Sequence, residues 1–316
     1  MNKICYGCGC KLQNTDKEKI GYTPKEDSNY CQRCFKLMHY GIDTENMPFK
    51  TVDNILDSVN KDNKFVCFLT DLFNINSKII DSYHRIKNNK VLLISKSDLI
   101  PKNIKLSKIK NFLKEYYQID EDIIFISNSH KSAQKVISYL QNHDIRETYL
   151  MGLTSSGKST LINNMLDVTN SKLNKVVTSY RQNTTLDFIR LQINDILVID
   201  SPGFILKTLN INNKDTFKYA VKPRTYQMRK NEVLRLIDES FIGFEKDTSA
   251  CFYIPNNIKS HKDYKQKAFN YTLHVESDSD LIILGLGFLN IKNETDLYFY
   301  NLDRELIEIR PSIFRK

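Results

Sequence analysis

Glycine and proline are scarce in this chain, at 10 and 7 of 316 residues, and no low-complexity tract interrupts it. That composition excludes collagen-like and Gly/Pro-rich disordered architectures and fits a globular protein of two domains, or three if one is small. No stretch of 18 or more apolar residues occurs, so no membrane span is expected. An apolar segment is also missing ahead of Cys5, so no signal peptide is expected. Internal repeats are absent. Acidic residues are the minority, 37 against 46 Lys and Arg, leaving a net charge of +9. Such a balance points to an anionic partner, nucleic acid first. The seven cysteines include two CxxC pairs, which fit metal binding in a reducing, cytoplasmic setting better than a disulfide framework.

The motif that organises the chain is Gly152 to Thr160, GLTSSGKST. It follows a short apolar run, Thr148 to Met151, and opens a helical pattern through Leu161, Ile162, Met165 and Leu166. Strand, glycine-bounded loop and helix together make a phosphate-binding loop. Gly152 and Gly157 allow the tight path. Backbone N–H groups through Thr154, Ser155, Ser156 and Thr160 can then face a phosphate at the positive end of a helix. Lys158 can reach the β- and γ-phosphates, and Ser159 can place its hydroxyl on magnesium.

Ahead of that loop, Cys5-x-x-Cys8 and Cys31-x-x-Cys34 are separated by 22 residues. Two such knuckles suit a tetrahedral structural zinc, whose binding would supply the folding energy of so small a segment. Cys10 sits too far along to be the first choice of ligand. From about Phe49, short apolar strands alternate with helices. The strands read Lys64 to Thr70, Val91 to Ile94, Ile123 to Ile126, Thr148 to Met151 and Ile196 to Ile199. The helical patterns lie around Ile79 to Asn88, Ser107 to Tyr117 and Ala133 to Asn142. This rhythm predicts a mostly parallel α/β sheet with helices on both faces and ligands beyond the strands' carboxyl ends.

Asp200-Ser201-Pro202-Gly203 is a DxxG motif. Its aspartate can hold magnesium through water, and the Gly203 N–H can meet a γ-phosphate. Thr184 and Thr185 lie between the two phosphate motifs, where a magnesium-coordinating switch threonine belongs. Thr185 is the first choice, with Thr184 the alternative. Ser95-Lys96-Ser97-Asp98 is similar to the guanine-reading NKxD, in which a carboxylate accepts both N1–H and N2–H of guanine and the lysine stem packs along the base. Ser127-Asn128-Ser129 resembles the loop that offers a backbone N–H to guanine O6.

The guanine motifs precede the phosphate loop, whereas ordinary GTPases carry them last. With the four-cysteine segment in front and Val221-Lys222-Pro223-Arg224-Thr225-Tyr226-Gln227 behind, the chain resembles the YqeH-type circularly permuted GTPases of ribosome assembly. The Leu284-Gly285-Leu286-Gly287 segment fits the closing domain of that family. The resemblance implies a zinc ribbon over 1–45, a circularly permuted P-loop GTPase domain over 46–216 and a strand-rich, basic C-terminal domain over 217–316. It further implies hydrolysis of GTP to GDP with magnesium, a structural zinc, and binding to ribosomal RNA or the small ribosomal subunit, as a monomer. Two positions depart from the family. Ser155 stands where the loop usually has the Asn that helps hold potassium, so potassium carries over only as an optional ion. Ser95 replaces the Asn of NKxD, which predicts weaker guanine binding or selectivity. Phe204 after DxPG cannot orient water, so slow intrinsic hydrolysis is expected, stimulated by a partner or an ion.

The tail is basic. Lys218, Lys222, Arg224, Arg229, Lys230 and Arg235 face only Glu232 in that stretch. Lys259, His261, Lys262, Lys265 and Lys267 are interleaved with Tyr264, Phe269 and Tyr271. Basic residues among aromatics suit phosphate neutralisation and base stacking on RNA. The stretches Leu281 to Ile291 and Asp296 to Leu302 alternate like strands. Two other functions fit parts of this pattern: a nucleotide-occupied RNA-binding scaffold with negligible hydrolysis, and an ATP-using P-loop enzyme.

Overall fold

The structure is a computed structural model that describes residues 3, 5, 11–17, 19, 21–32, 52–100, 104–153, 156–169, 188–204, 221, 223–236, 239–256, 258–263 and 268–314. The chain divides into two compact units that alternate along the sequence. The first comprises Met1–Asp71, Asp81–Ser95 and Glu121–Leu206, and the second Leu72–Ile80, Lys96–Asp120 and Lys207–Lys316.

In the first unit, helix α1 (Val52–Asn60) leads into β1 (Phe65–Asp71). Helix α2 (Ser77–His84), whose first turn belongs to the second unit, precedes β2 (Lys90–Ser95). Next come β3 (Ile123–Phe125), β4 (Glu147–Gly152), β5 (Ile189–Ile193) and β6 (Ile196–Asp200). They form one six-stranded sheet in the order β3-β2-β1-β4-β6-β5. All neighbours run parallel except β5, which returns antiparallel along β6. The mostly parallel sheet is therefore present.

Between β2 and β3 run a 3-10 turn (Ser97–Leu99) and helix α3 (Leu106–Tyr116), both in the second unit. In the first unit, α4 (His130–Asn142) and α5 (Lys158–Val168) pack on one face of the sheet. The α4 residues Ala133, Val136, Ile137 and Leu140 fall on one helical stripe and are all buried. They meet Cys67, Leu69, Val91, Leu93 and Leu150, the alternate residues of three strands. Phe68 points to the opposite face. Its ring lies 5.5 Å from Tyr83 and 5.9 Å from Phe204.

The remaining strands are β7 (Arg224–Met228), β8 (Val233–Arg235), β9 (Phe241–Phe244), β10 (Thr248–Tyr253) and β11 (His261–Asp263). They continue with β12 (Tyr271–Val275), β13 (Ser279–Ile283), β14 (Gly287–Ile291), β15 (Thr295–Tyr300) and β16 (Ile307–Pro311). Two antiparallel sheets result, β16-β13-β14-β10-β7 and β11-β8-β9-β15-β12. Their facing residues share one core, including Phe252, Leu281 and Leu289 from the first and Ile242, Phe244 and Phe299 from the second. The strand-rich C-terminal region is thus a β-sandwich.

The alternating stretch at 281–291 is a hairpin, β13 against β14, turned at Leu284-Gly285-Leu286. Gly285 has φ 83° and Gly287 φ 133°. A Cβ on Gly287 would stand 2.3 Å from the Tyr253 carbonyl oxygen, so only glycine fits there.

Candidate nucleotide site

Because the strands of the first unit run parallel, Asp71, Ser95, Gly152 and Asp200 end β1, β2, β4 and β6 on one rim. Gly152 is the last residue of β4 and pairs with Leu69. A Cβ there would lie 1.9 Å from the Leu69 carbonyl oxygen. The phosphate loop can leave the sheet this close to β1 only with glycine. Gly157, at φ 102°, then turns the chain into α5.

The described part of the loop is tied down from within. Ser156 donates its hydroxyl to Leu153 O at 2.7 Å. Lys158 donates to Gly152 O at 2.9 Å and to Leu153 O at 3.0 Å, so its ammonium lies folded across the loop's own carbonyls. Ser159 and Thr160 sit half-buried in the first turn of α5. Thr154 and Ser155 lie outside the described residues, as do Thr184 and Thr185.

Asp200 is 1% exposed, and neither of its carboxylate oxygens has a hydrogen-bond partner among the described residues. Burial pushes its carboxyl up to about 7, against the opposing pull of Lys158. Burial likewise pushes the Lys158 ammonium down to about 8 despite the carboxylate. An unpartnered buried carboxylate fits a cation, and the motif's chemistry names magnesium. Beyond Asp200 the chain turns back to the loop: Ser201 N–H donates to Leu150 O at 3.0 Å, and Phe204 forms a parallel bridge with Leu153. The Phe204 ring is buried, 1% exposed, beside Phe68.

On the base side, Ser95 is buried and donates its hydroxyl to Ser156 O at 2.6 Å. In the sequence Ser95 reads as a weakened base contact. Its hydroxyl straps the end of β2 to the phosphate loop, a pairing 61 residues apart that no local pattern announces. Buried Asp71, beside Ser95 in the strand register, is a rim residue that belongs to none of the sequence motifs.

Lys96, at φ 59°, opens the 3-10 turn that carries Asp98, and its carbonyl accepts Leu99 N–H at 3.1 Å. Both residues belong to the second unit. In the loop after β3, Ser127 N–H donates to Ser132 Oγ at 2.9 Å and Ser129 N–H to Ser127 O at 2.9 Å. Ser129 also caps α4, accepting from Ser132 N–H at 3.2 Å. The Ser127 N–H is thereby occupied. Asn128 is exposed, and its N–H has no acceptor among the described residues.

Residues 58–210 match the family described as RsgA GTPase. The chain is 28% identical to YqeH of Bacillus subtilis over 289 residues, covering 84% of this chain and 79% of that protein. Over residues 58–210 the chain is a GTPase, and the order of its motifs makes it a circularly permuted P-loop one. The YqeH similarity extends well beyond the 58–210 match. Part of the chain, 43%, is also 30% identical to the yeast protein Genetic interactor of prohibitins 3, mitochondrial, of which it spans 25%. Two crystal structures from Thermotoga maritima are similar in part. YjeQ is 22% identical over 45% of this chain and 48% of that one, at a TM-score of 0.31. GNP-bound YlqF is 17% identical over 52% and 60%, at 0.30. The fold rests on the chain's own strand order.

Of the four zinc-type cysteines, Cys5 and Cys31 are described. Both are buried with Leu12, half-buried Tyr30 packs against them, and Cys31 N–H points at Cys5 Sγ from 3.1 Å. Cys8 and Cys34 lie outside the described residues, and no group of three or more metal-binding side chains occurs among the described ones. A backbone N–H directed at a buried sulfur fits a thiolate ligand, and these two residues alone make no metal site.

In the tail, Tyr271 differs from its reading as an RNA stacker. Its ring packs 4.9 Å from Phe299 inside the sandwich, because β12 alternates Tyr271, Leu273 and Val275 toward the core. Phe269 lies 5.3 Å from Tyr298. Lys262 is paired with Glu232 at 2.7 Å, whereas Arg229, Lys230, Lys259 and His261 are exposed. No helix among the described residues is long and apolar enough to cross a membrane.

Proposed function

We propose that this GTPase acts in assembly of the small ribosomal subunit, binding ribosomal RNA or a pre-ribosomal particle in a nucleotide-dependent way in the cytoplasm. The observation that carries the proposal is the Leu153–Phe204 bridge. It joins the DxPG segment to the phosphate loop, and the next described strand in the chain is β7 of the sandwich. Occupancy at the loop thus has a short covalent route to the C-terminal domain. The net charge of +9 supports an anionic partner.

In this reading Lys158 leaves the Gly152 and Leu153 carbonyls for the β- and γ-phosphates. The loop N–H groups from Thr154 to Thr160 and the Gly203 N–H hold phosphate oxygens, while Lys96, Asp98 and Asn128 read guanine. Ser159, Asp200 and Thr185 would hold magnesium, which offsets charge on the transferring phosphoryl group when bound. The buried Phe204 offers no hydrogen bond to an attacking water. Intrinsic hydrolysis is accordingly slow and is accelerated by a partner or ion, potassium being an optional one. Residues 1–45 form a zinc ribbon on Cys5, Cys8, Cys31 and Cys34, residues 46–216 the GTPase domain and 217–316 the RNA- or ribosome-binding domain of a monomer. The same phenylalanine favours one second reading, a nucleotide-occupied RNA scaffold with negligible hydrolysis.

Sedimentation with small subunits tests the switch. Binding should be stronger with a non-hydrolysable GTP analogue than with GDP, and equal binding would end the proposal. Phosphate release measured with and without subunits and potassium separates the GTPase from the scaffold.

A further inference from the structure

Arg310 lies outside every motif in the sequence. It is an arginine on β16, 1% exposed, and it sits in the second unit, which draws together three separate segments of the chain. Its Nη1 donates to Ile75 O at 2.8 Å and to Tyr117 OH at 3.0 Å, and its Nε lies 3.4 Å from Asp280 Oδ2. Asp280 is itself fixed, accepting from Ile313 N–H at 2.8 Å and from Asn290 at 2.9 Å. Two residues earlier on β16, Glu308 accepts from Ser77 N–H at 2.9 Å and from Tyr117 OH at 3.4 Å. Lys78 donates to Glu305 O at 2.9 Å.

These contacts join β16 to the segment that follows β1 (Ile75, Ser77, Lys78) and to the end of α3 (Tyr117). The outer face of the β13–β14 hairpin is buried here: Ile282 and Phe288 are both 0% exposed, and Phe73 packs 6.3 Å from Phe288. Helix α3 belongs to the same stretch, Lys96–Asp120, as the turn carrying Lys96 and Asp98. The base-reading turn is thus part of the body that contains the sandwich, and the buried Arg310 contacts are long-range bonds holding that body together.

We propose that Arg310, with Tyr117 and Glu308, is a positioning residue for guanine recognition: the C-terminal sandwich sets where Asp98 stands. This rests on the assignment of Asp98 as base reader. A buried charged pair that also bonds two backbone segments has one geometry, and losing a member leaves polar groups unpaired and the joint loose. Loosening it displaces the Asp98 turn, whereas Lys158 and the phosphate loop make none of these contacts. Coupling runs both ways, so base occupancy bears on the sandwich as the sandwich bears on the base.

The test compares GDP with inosine diphosphate, which lacks only the 2-amino group that Asp98 would accept from. Both are titrated on the full chain and on Tyr117→Phe, Glu308→Gln and Arg310→Met, with folding checked by circular dichroism. Tyr117→Phe keeps the ring and removes only the hydroxyl, so it remains informative if Arg310→Met does not fold. Wild type should prefer GDP. The folded variants should lose that preference by at least about fivefold, mainly by weaker GDP binding. General destabilisation would lower both affinities together and leave the ratio intact. Folded variants that keep the wild-type ratio overturn the inference. A wild type without preference overturns the Asp98 assignment itself, and the inference with it.

Discussion

Lys158 donates to the carbonyl of Gly152 at 2.9 Å, so the cation of the phosphate loop is held by the glycine that opens the loop. Without a nucleotide this arrangement satisfies a buried ammonium at the cost of leaving it poorly solvated, which is why its pKa is pushed down to about 8. Lys158→Met should therefore leave the nucleotide-free protein about as stable as wild type. Its GTP affinity should fall by about 1.5–3 kcal/mol, the weight of a charge-assisted hydrogen bond. Calorimetric titration and thermal unfolding on the same samples check both halves.

Asp200 makes the opposite contribution to stability. Its carboxyl titrates at about 7 when folded and at its ordinary value of 3.8 when unfolded. The folded state keeps a proton that the unfolded state has lost, so this group's stabilisation is full below pH 3.8 and disappears as pH rises through 7. Nucleotide-free Asp200→Asn should lack that loss, and its stability advantage over wild type should grow between about pH 4 and 7 and level off above, reaching about 1–3 kcal/mol, the penalty of an unpaired buried group. Urea unfolding at several pH values measures the difference, and a difference independent of pH would contradict the assignment.

The Ser95–Ser156 strap predicts a third outcome. Ser95→Ala removes a side-chain bond from the proposed guanine-reading segment to the phosphate loop, and leaves the Ser156 carbonyl without that donor. Stability should drop by about 1–3 kcal/mol. Guanine and phosphate ends should then bind less cooperatively, seen as a larger loss for GDP than for pyrophosphate alone. Equal losses would mean that the hydroxyl serves stability only.

The strand ends and motif spacings were legible because each is local. A run such as Phe65–Asp71 is apolar throughout most of its length and stops at a charge, and Gly152 and Gly157 mark backbone paths that other residues cannot follow. Long-range partners left no such trace. Ser95 reads as a weaker stand-in for asparagine and Arg310 belongs to no motif, and only the sheet and the sandwich bring their acceptors to them. The stretch 281–291 alternates equally well as one strand or two, and only the positive φ at Gly285 and Gly287 decides for the hairpin. Tyr271 looked like a stacking residue because composition does not say which face of a strand is covered.

Guanine specificity is the central claim, and a titration with GTP, GDP and ATP on wild type and Asp98→Asn tests it most directly. Wild type should bind GTP and GDP at least about a hundredfold more tightly than ATP, and Asp98→Asn should lose roughly tenfold or more of its guanine affinity, one charged hydrogen bond or more. ATP bound as tightly as GTP, with no change on Asp98→Asn, would contradict the account.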